Sequence, residues 1–228
     1  MSEPRGRDAE SSRGRYAGLS ADERRRQRRE RLREVAVEVL AEQGLAGLKV
    51  RALCARAGLN DRYFYESYAD IDQLLHDVVD EQRAQILAEL VAVIATEPAD
   101  ARVRLRAVVE AVVAAVADHP MRRRMFLEFQ STDELRRRRT ELVDVSAGIM
   151  LDQGRELLGD EAVSGIHAEL AARTISHGGL ELLTEWLRGD LDVERSQLID
   201  FMVAMILTAS EITATVRREM TAAGEAAS

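Results

Sequence analysis

Arg62, Tyr63 and Tyr65 lie close together in a stretch that also holds Asn60, Asp61 and Ser67. This group offers no nucleophile paired with a base, but it does offer the side chains that recognise nucleic acid. A guanidinium bonds guanine O6 and N7 as a fork, and hydroxyls bond phosphate oxygens. Arg62 and Tyr63 are candidate base readers, and Tyr65 is a candidate phosphate contact. Lys49 and Arg51, just upstream, add positive charge for a phosphate backbone. The candidate DNA-contacting set is Lys49, Arg51, Asn60, Asp61, Arg62, Tyr63, Tyr65 and Ser67. The plainer alternative is a solvated helix face.

Two short helices joined by a tight turn would position these groups. Val50, Leu53, Cys54 and Ala57 recur at helical spacing and form one apolar stripe. Gly58 allows the positive φ at which the first helix stops. Asn60 can cap the second by accepting its free N–H groups. On that second helix Phe64 and Tyr68 face the core, while Asp61, Arg62, Tyr63, Tyr65 and Ser67 take the outer side. One face held by the core and one offered to a groove is what a helix-turn-helix requires.

Net charge is −8, which at first opposes binding to a polyanion. The distribution removes the conflict. Residues 1–68 hold 15 basic and 11 acidic side chains, a net of +4, and the remainder holds 17 and 29, a net of −12. Only the N-terminal third can hold phosphate; the acidic bulk belongs away from it. The chain is 46% hydrophobic, 32% charged and poor in aromatics, which favours an all-helical fold. No apolar run is long enough to span a bilayer, and residues 1–15 lack the apolar core of a secretory signal. Cys54 is the only cysteine, so a reducing cytoplasm is expected and no intrachain disulfide can form. On an apolar stripe it reads as a small core residue. His76, His119, His167 and His177 show no metal-ligand spacing, so neither metal nor cofactor is expected.

About nine helices are expected. Residues 1–19 read as a disordered arm rich in Arg, Gly and Ser. Ser20 to Glu23 is a capping box that opens a helix running to about Gln43, ended by Gly44, with Arg24 to Arg33 along its first turns. Residues 20–69 form the helix-turn-helix domain. Further helices are expected at about 70–95, 99–118, 131–158, 161–188 and 194–220, with a short segment at 121–129 between two of them. Residues 70–220 make a second, helical domain, and 221–228 a fraying tail.

The final helix is apolar on more than one side: Leu198, Phe201, Met205, Thr208, Ile212 and Val216 form one stripe, with Ile199, Met202 and Ile206 beside it. Burial on two sides calls for a second partner, and two such helices from each of two chains make a four-helix interface. Leu183, Met205 and Ile212 are the expected interface residues of a homodimer. Met125, Phe126, Phe129, Met150 and Trp186 are candidates to line a cavity, and His177 either faces a ligand or sits in the interface. Glu128, inside this cluster, is a candidate for recognising a cation. The alternative for all of these is ordinary core.

The chain resembles the TetR (tetracycline-repressor) family of transcriptional regulators. Leu53-Cys54-Ala55-Arg56-Ala57-Gly58-Leu59-Asn60 matches the first half of that family's signature. Phe64-Tyr65-Glu66-Ser67-Tyr68 and Leu74-Leu75 match the second. Lys49 stands where the family often has a hydroxyl, Ser67 where it has His, Ile71 where it has Lys, and Arg62 where it often has Gly. The resemblance implies a homodimer whose C-terminal helices form a small-molecule pocket and the dimer contact. It further implies that an effector respaces two recognition helices and releases a double-stranded palindromic operator.

The rival readings are an activator of the same fold, a helical interaction or ligand-binding module without specific DNA binding, and a helical enzyme. An enzyme would need a phosphate loop, a metal set or a nucleophile–base pair, and the sequence shows none of these.

Overall fold

The computed structural model describes residues 20–96, 100–128, 133–159 and 165–226. Among them are nine α-helices and no strand. The first, α1 (Ala21–Gln43), starts as its capping box demands, with the Ser20 hydroxyl accepting the Glu23 N–H at 3.1 Å. Gly44 ends it at φ 67°, and a single 3₁₀ turn (Leu45–Gly47) leads to α2 (Val50–Ala57) and α3 (Asp61–Ser67). Next comes α4 (Ile71–Thr96), whose entry is closed by reciprocal bonds: Gln73 N–H to Asp70, and Ala69 N–H to Gln73. Then follow α5 (Ala101–Ala117), α6 (Pro120–Leu127), α7 (Asp133–Leu158), α8 (Ile166–Arg188) and α9 (Arg195–Ala226).

Three stretches differ from the sequence reading. The segment after His119 is itself a helix, because Pro120 occupies the first turn, where its missing N–H costs nothing. The start of α8 is Ile166 rather than 161, behind Gly165 at φ 92°. The last helix runs past Met220 to Ala226, since its Ala-rich end favours helix. The expected start of the helix at 131, and Phe129, lie outside the described residues, as do the arm at 1–19 and the last two residues of the tail. No described helix is long and apolar enough to cross a membrane.

Two apolar cores organise these helices. The first joins Leu32, Val35 and Leu40 of α1 to Leu53, Phe64 and Tyr68. It does not stop at residue 69: Leu74, Leu75 and Val78 of α4 and Met121 and Met125 of α6 complete it. The second joins Val109 and Val113 of α5 to Leu183 and Leu187 of α8 and to Leu198, Ile199 and Val203 of α9. Phe126 belongs to this second core. Thus α6, only eight residues long, has side chains in both cores. It is also tied to α4 by the buried Arg122, whose guanidinium bonds Gln82 at 2.9 Å, Gln85 at 3.2 Å and Glu89 at 3.2 Å. A buried charge is tolerated only when paired and bonded in this way.

Candidate nucleic-acid interface and ligand cavity

The turn between α2 and α3 is built from local chemistry. Gly58 adopts φ 70°, and the Leu59 N–H closes on the Cys54 carbonyl at 2.9 Å. Asn60 then accepts the Tyr63 N–H at 3.1 Å, which starts α3. Phe64 and Tyr68 are fully buried, so the opposite face of α3 is turned to solvent. On that face the Arg62 side chain is 84% exposed and Tyr65 61% exposed. Lys49, Arg51 and Asp61 are exposed beside them, with Arg51 and Asp61 3.9 Å apart. Lys49 occupies the capping position of α2 without a side-chain cap bond.

Ser67 departs from the expectation. It is buried, and its hydroxyl donates to the Tyr63 carbonyl one turn back at 2.9 Å. Seven residues of helix place position 67 at the edge of the core, not on the outer face. Asn60 is likewise engaged as a cap.

The exposed face is ordered by a carboxylate that the sequence reading passed over. Glu66 accepts the Arg62 Nε–H at 3.0 Å and pairs with Arg28 of α1 at 3.3 Å. Arg28 also lies 4.6 Å from the centroid of the Tyr63 ring, a cation–π contact. A charged residue at i+4 from Arg62 was the available signal.

The Arg-rich start of α1 is divided in use. Arg29 and Arg33 turn towards α4, where Arg29 bonds Asp77 at 3.2 Å and Arg33 pairs with Glu81 at 3.3 Å. Tyr68 donates to the same Asp77 at 2.7 Å. Burial works against the Asp77 charge, but the bonds from Arg29 and Tyr68 outweigh it and hold the carboxyl below its ordinary range. Burial, then the Asp77 bond, pushes the Tyr68 phenol up. The Cys54 thiol is raised by burial and by Asp61, which suits an inert core residue.

A cavity of about 230 Å³ lies among α5, α7, α8 and α9, with Leu90 of α4 at its edge. Its wall is mostly aliphatic, with Leu105, Val109, Ile175 and Leu180 prominent. Met150 lines it, as the sequence suggested. Leu183 lines it too and is buried within the single chain, so it cannot supply a dimer surface. The other candidates sit elsewhere. Met125 is drawn into the first core against α1. Phe126 is buried in the second core outside the cavity lining. Trp186 packs on that core and its indole N–H donates to the Val193 carbonyl at 3.0 Å. His177 is exposed on the outer side of α8. Phe129, and the side chain of Ile212, lie outside the described residues. Glu128 receives the Leu45 N–H at 3.0 Å and Arg124 at 3.1 Å, stitching α6 to the end of α1.

Four polar lining residues escaped the sequence reading: Arg104, Ser146, Gln153 and Ser176. Arg104 stands one and two helical turns before Val108 and Val112, so a charge on an apolar stripe was there to see. Ala168, Ala172 and Ser176 recur every four residues on α8, and such small side chains leave room beside a helix. Among the described residues no group of His, Cys, Asp or Glu side chains is placed to hold a metal ion.

Residues 32–78 match the family model for bacterial regulatory proteins of the tetR family. No curated protein matches the chain. Solved structures do. A candidate transcriptional regulator from Pseudomonas aeruginosa PAO1 is 23% identical, with a TM-score of 0.65 over 86% of this chain and 95% of that one. A tetR-family transcriptional regulator from Streptomyces coelicolor is 17% identical, with a TM-score of 0.64 over 86% of each chain. The transcriptional regulator FadR from Bacillus subtilis, in complex with stearoyl-CoA, is 23% identical, with a TM-score of 0.56 over 81% of this chain and 97% of that one. At these identities the likeness establishes the fold.

Proposed function

We propose that the protein is a cytoplasmic, ligand-responsive transcriptional repressor of the TetR family that binds a palindromic operator as a homodimer; the match of residues 32–78 to the tetR family model and the likeness in fold to solved regulators support this reading. The observation that carries this reading is the division of α3. Phe64 and Tyr68 anchor one face in the core, and Arg62, Tyr63 and Tyr65 are exposed on the other. In this reading α3 enters the major groove, Arg62 and Tyr63 read base edges, and Lys49, Arg51 and Tyr65 hold phosphates.

The homodimer is supported by apolar side chains with no cover in the single chain. Ile166 and Leu170 on α8, and Phe201 and Met205 on α9, are each at least 41% exposed. Each pair is four residues apart and so shares one helix face. Soluble proteins seldom expose such a set unless a partner covers it.

The cavity supports a small, mostly apolar effector, and the FadR neighbour with its stearoyl-CoA is in keeping with that class. An effector acts only if it favours one dimer state over the other. The route from cavity to α3 runs through α6, which contributes to both cores and is bonded to α1 by Glu128 and to α4 by Arg122. An activator would use the same contacts, since the sign of regulation depends on where the operator lies.

The test is selection of binding sites from random DNA with the full chain. An inverted repeat with half-sites one helical turn or more apart is the expected result. Binding without sequence preference, or to unpaired half-sites alone, would refute the operator reading.

A further inference from the structure

The cavity wall specifies its ligand more narrowly than by size. Ser176 is only 6% exposed, lines the cavity, and its hydroxyl has no hydrogen-bond partner. Helical hydroxyls ordinarily bond back one turn, as Thr174 does to Leu170 and Thr184 does to Leu180, each at 2.7 Å. Ser176, on the same helix, does not. Gln153 Oε1 is also buried without a partner, while its amide nitrogen donates to Glu156 at 3.4 Å. Glu156 accepts only, so the Gln153 amide cannot be flipped, and its oxygen needs a donor. A buried polar atom without a partner is costly, and a ligand that supplies one recovers that cost.

Charge narrows the choice further. Among the described lining residues Arg104 alone is charged, and Glu156 neutralises it at 2.6 Å. A ligand carboxylate would leave this apolar wall with one uncompensated negative charge; a neutral ligand leaves the pair intact. Position sets the span. Arg173 pairs with Asp144 and Arg139 with Glu181, so α7 and α8 run antiparallel, with Ser176 level with the early 140s. Gln153 is then about 15 Å further along α7, at 1.5 Å per residue. The cavity of about 230 Å³ exceeds the roughly 150 Å³ apolar cavity that takes up benzene, and has room for about ten to a dozen non-hydrogen atoms.

We infer that the effector is a neutral, elongated aliphatic molecule of that size with an oxygen function near each end, one donating to Gln153 Oε1 and one bonded by Ser176 Oγ. This rests on the regulator reading above but concerns only what the cavity accepts.

The experiment uses the full chain and three probes of equal length: 1,10-decanediol, 1-decanol and decanoate. Each is scored by thermal unfolding and by calorimetric titration, and separately by release of a selected operator duplex. The diol is expected to bind tightest, and Ser176→Ala and Gln153→Met are each expected to weaken it about fivefold, the worth of one net hydrogen bond. With both substitutions its advantage over decanol should vanish while decanol binding persists, which shows an intact fold. Tighter binding of decanoate than of the diol would overturn the assignment in favour of an anionic ligand and leave the regulator reading standing. Diol binding indifferent to both substitutions, or stabilisation by none of the probes, would overturn it as well. A diol that binds through both residues yet leaves the operator complex intact would uphold the ligand class and defeat the regulator reading.

Discussion

Around α3 and around the cavity the chain packs apolar side chains but treats its polar atoms differently. Near α3 the Tyr68 and Ser67 hydroxyls and the Asn60 amide all have protein partners. The two atoms without one there, Arg28 Nε and Arg33 Nε, belong to guanidiniums otherwise engaged with Glu66 and Glu81. Around the cavity, Ser176 has a single polar side-chain atom and it has no partner. A region whose polar side chains are each engaged internally presents a fixed surface, which a reader of bases needs. A region with unmet bonds and unfilled volume responds to whatever supplies them. In the proposed reading, recognition and response are separated in space, with α6, which has side chains in both cores, between them.

The largest expected effect breaks this contrast at its tight end. Phe64→Ala removes a fully buried ring from the first core and should cost about 3–5 kcal/mol in urea unfolding. Met150→Ala, beside existing space, should cost less than half as much. Equal losses at the two sites would mean that the cavity wall is as closely packed as the α3 core, and the comparison would fail.

Next in size is the exposed apolar face. Met205→Arg places a charge beside Phe201 on the exposed apolar face of α9 and should give monomers by light scattering at about micromolar concentration. Operator affinity should then fall by about 100-fold or more, roughly 2.7 kcal/mol, because two half-sites no longer bind as one unit. A Met205→Arg dimer with unchanged affinity would move the interface elsewhere.

Smaller effects sharpen the reader. Arg62→Ala should cost about 1–3 kcal/mol of operator binding and relax preference at one base pair. Tyr65→Phe should weaken all sequences alike by about 1 kcal/mol or less, since a phosphate contact carries no base information. Competition among selected and scrambled duplexes measures both. If Arg62→Ala weakened both duplexes equally, Arg62 would be a phosphate contact instead.

The α3 side of the comparison was legible because its rules are local. Gly58 at the turn, Asn60 as cap, and the spacing of Phe64 and Tyr68 are each set within one helical turn. Ser67 was misplaced because one helical position decides between the core edge and the outer face, and Glu66 because its pairing with Arg28 crosses 38 residues. The cavity was harder. Its wall comes from α4, α5, α7, α8 and α9, and no periodicity in one helix tells which apolar residues meet others and which face a space. Met125 and Phe126 show the difficulty: adjacent on the short α6, they enter different cores. Both were expected to line a pocket, whereas on α8 the cavity is bounded by Ala168, Ala172 and Ser176, which nothing in the sequence marked for that role.

The smallest expected effect probes the polar link between α1 and α4 behind the reader. Asp77 gathers Arg29, Arg33 and the Tyr68 hydroxyl, and its folded pKa lies below the ordinary 3.8. A carboxylate with a lowered folded pKa contributes stability that is fully present above its unfolded value and lost as pH falls through the folded one. Acid should therefore loosen the first core through this group. The wild type should lose more unfolding free energy between about pH 5 and about pH 3 than Asp77→Asn does, although the variant starts less stable because Asn cannot pair with Arg29. The group is partly solvated, so the difference in slope should be small beside the effect of Phe64→Ala. Parallel slopes for wild type and Asp77→Asn would show that the ion cluster is too screened to matter, and that aliphatic packing alone ties α1 to α4.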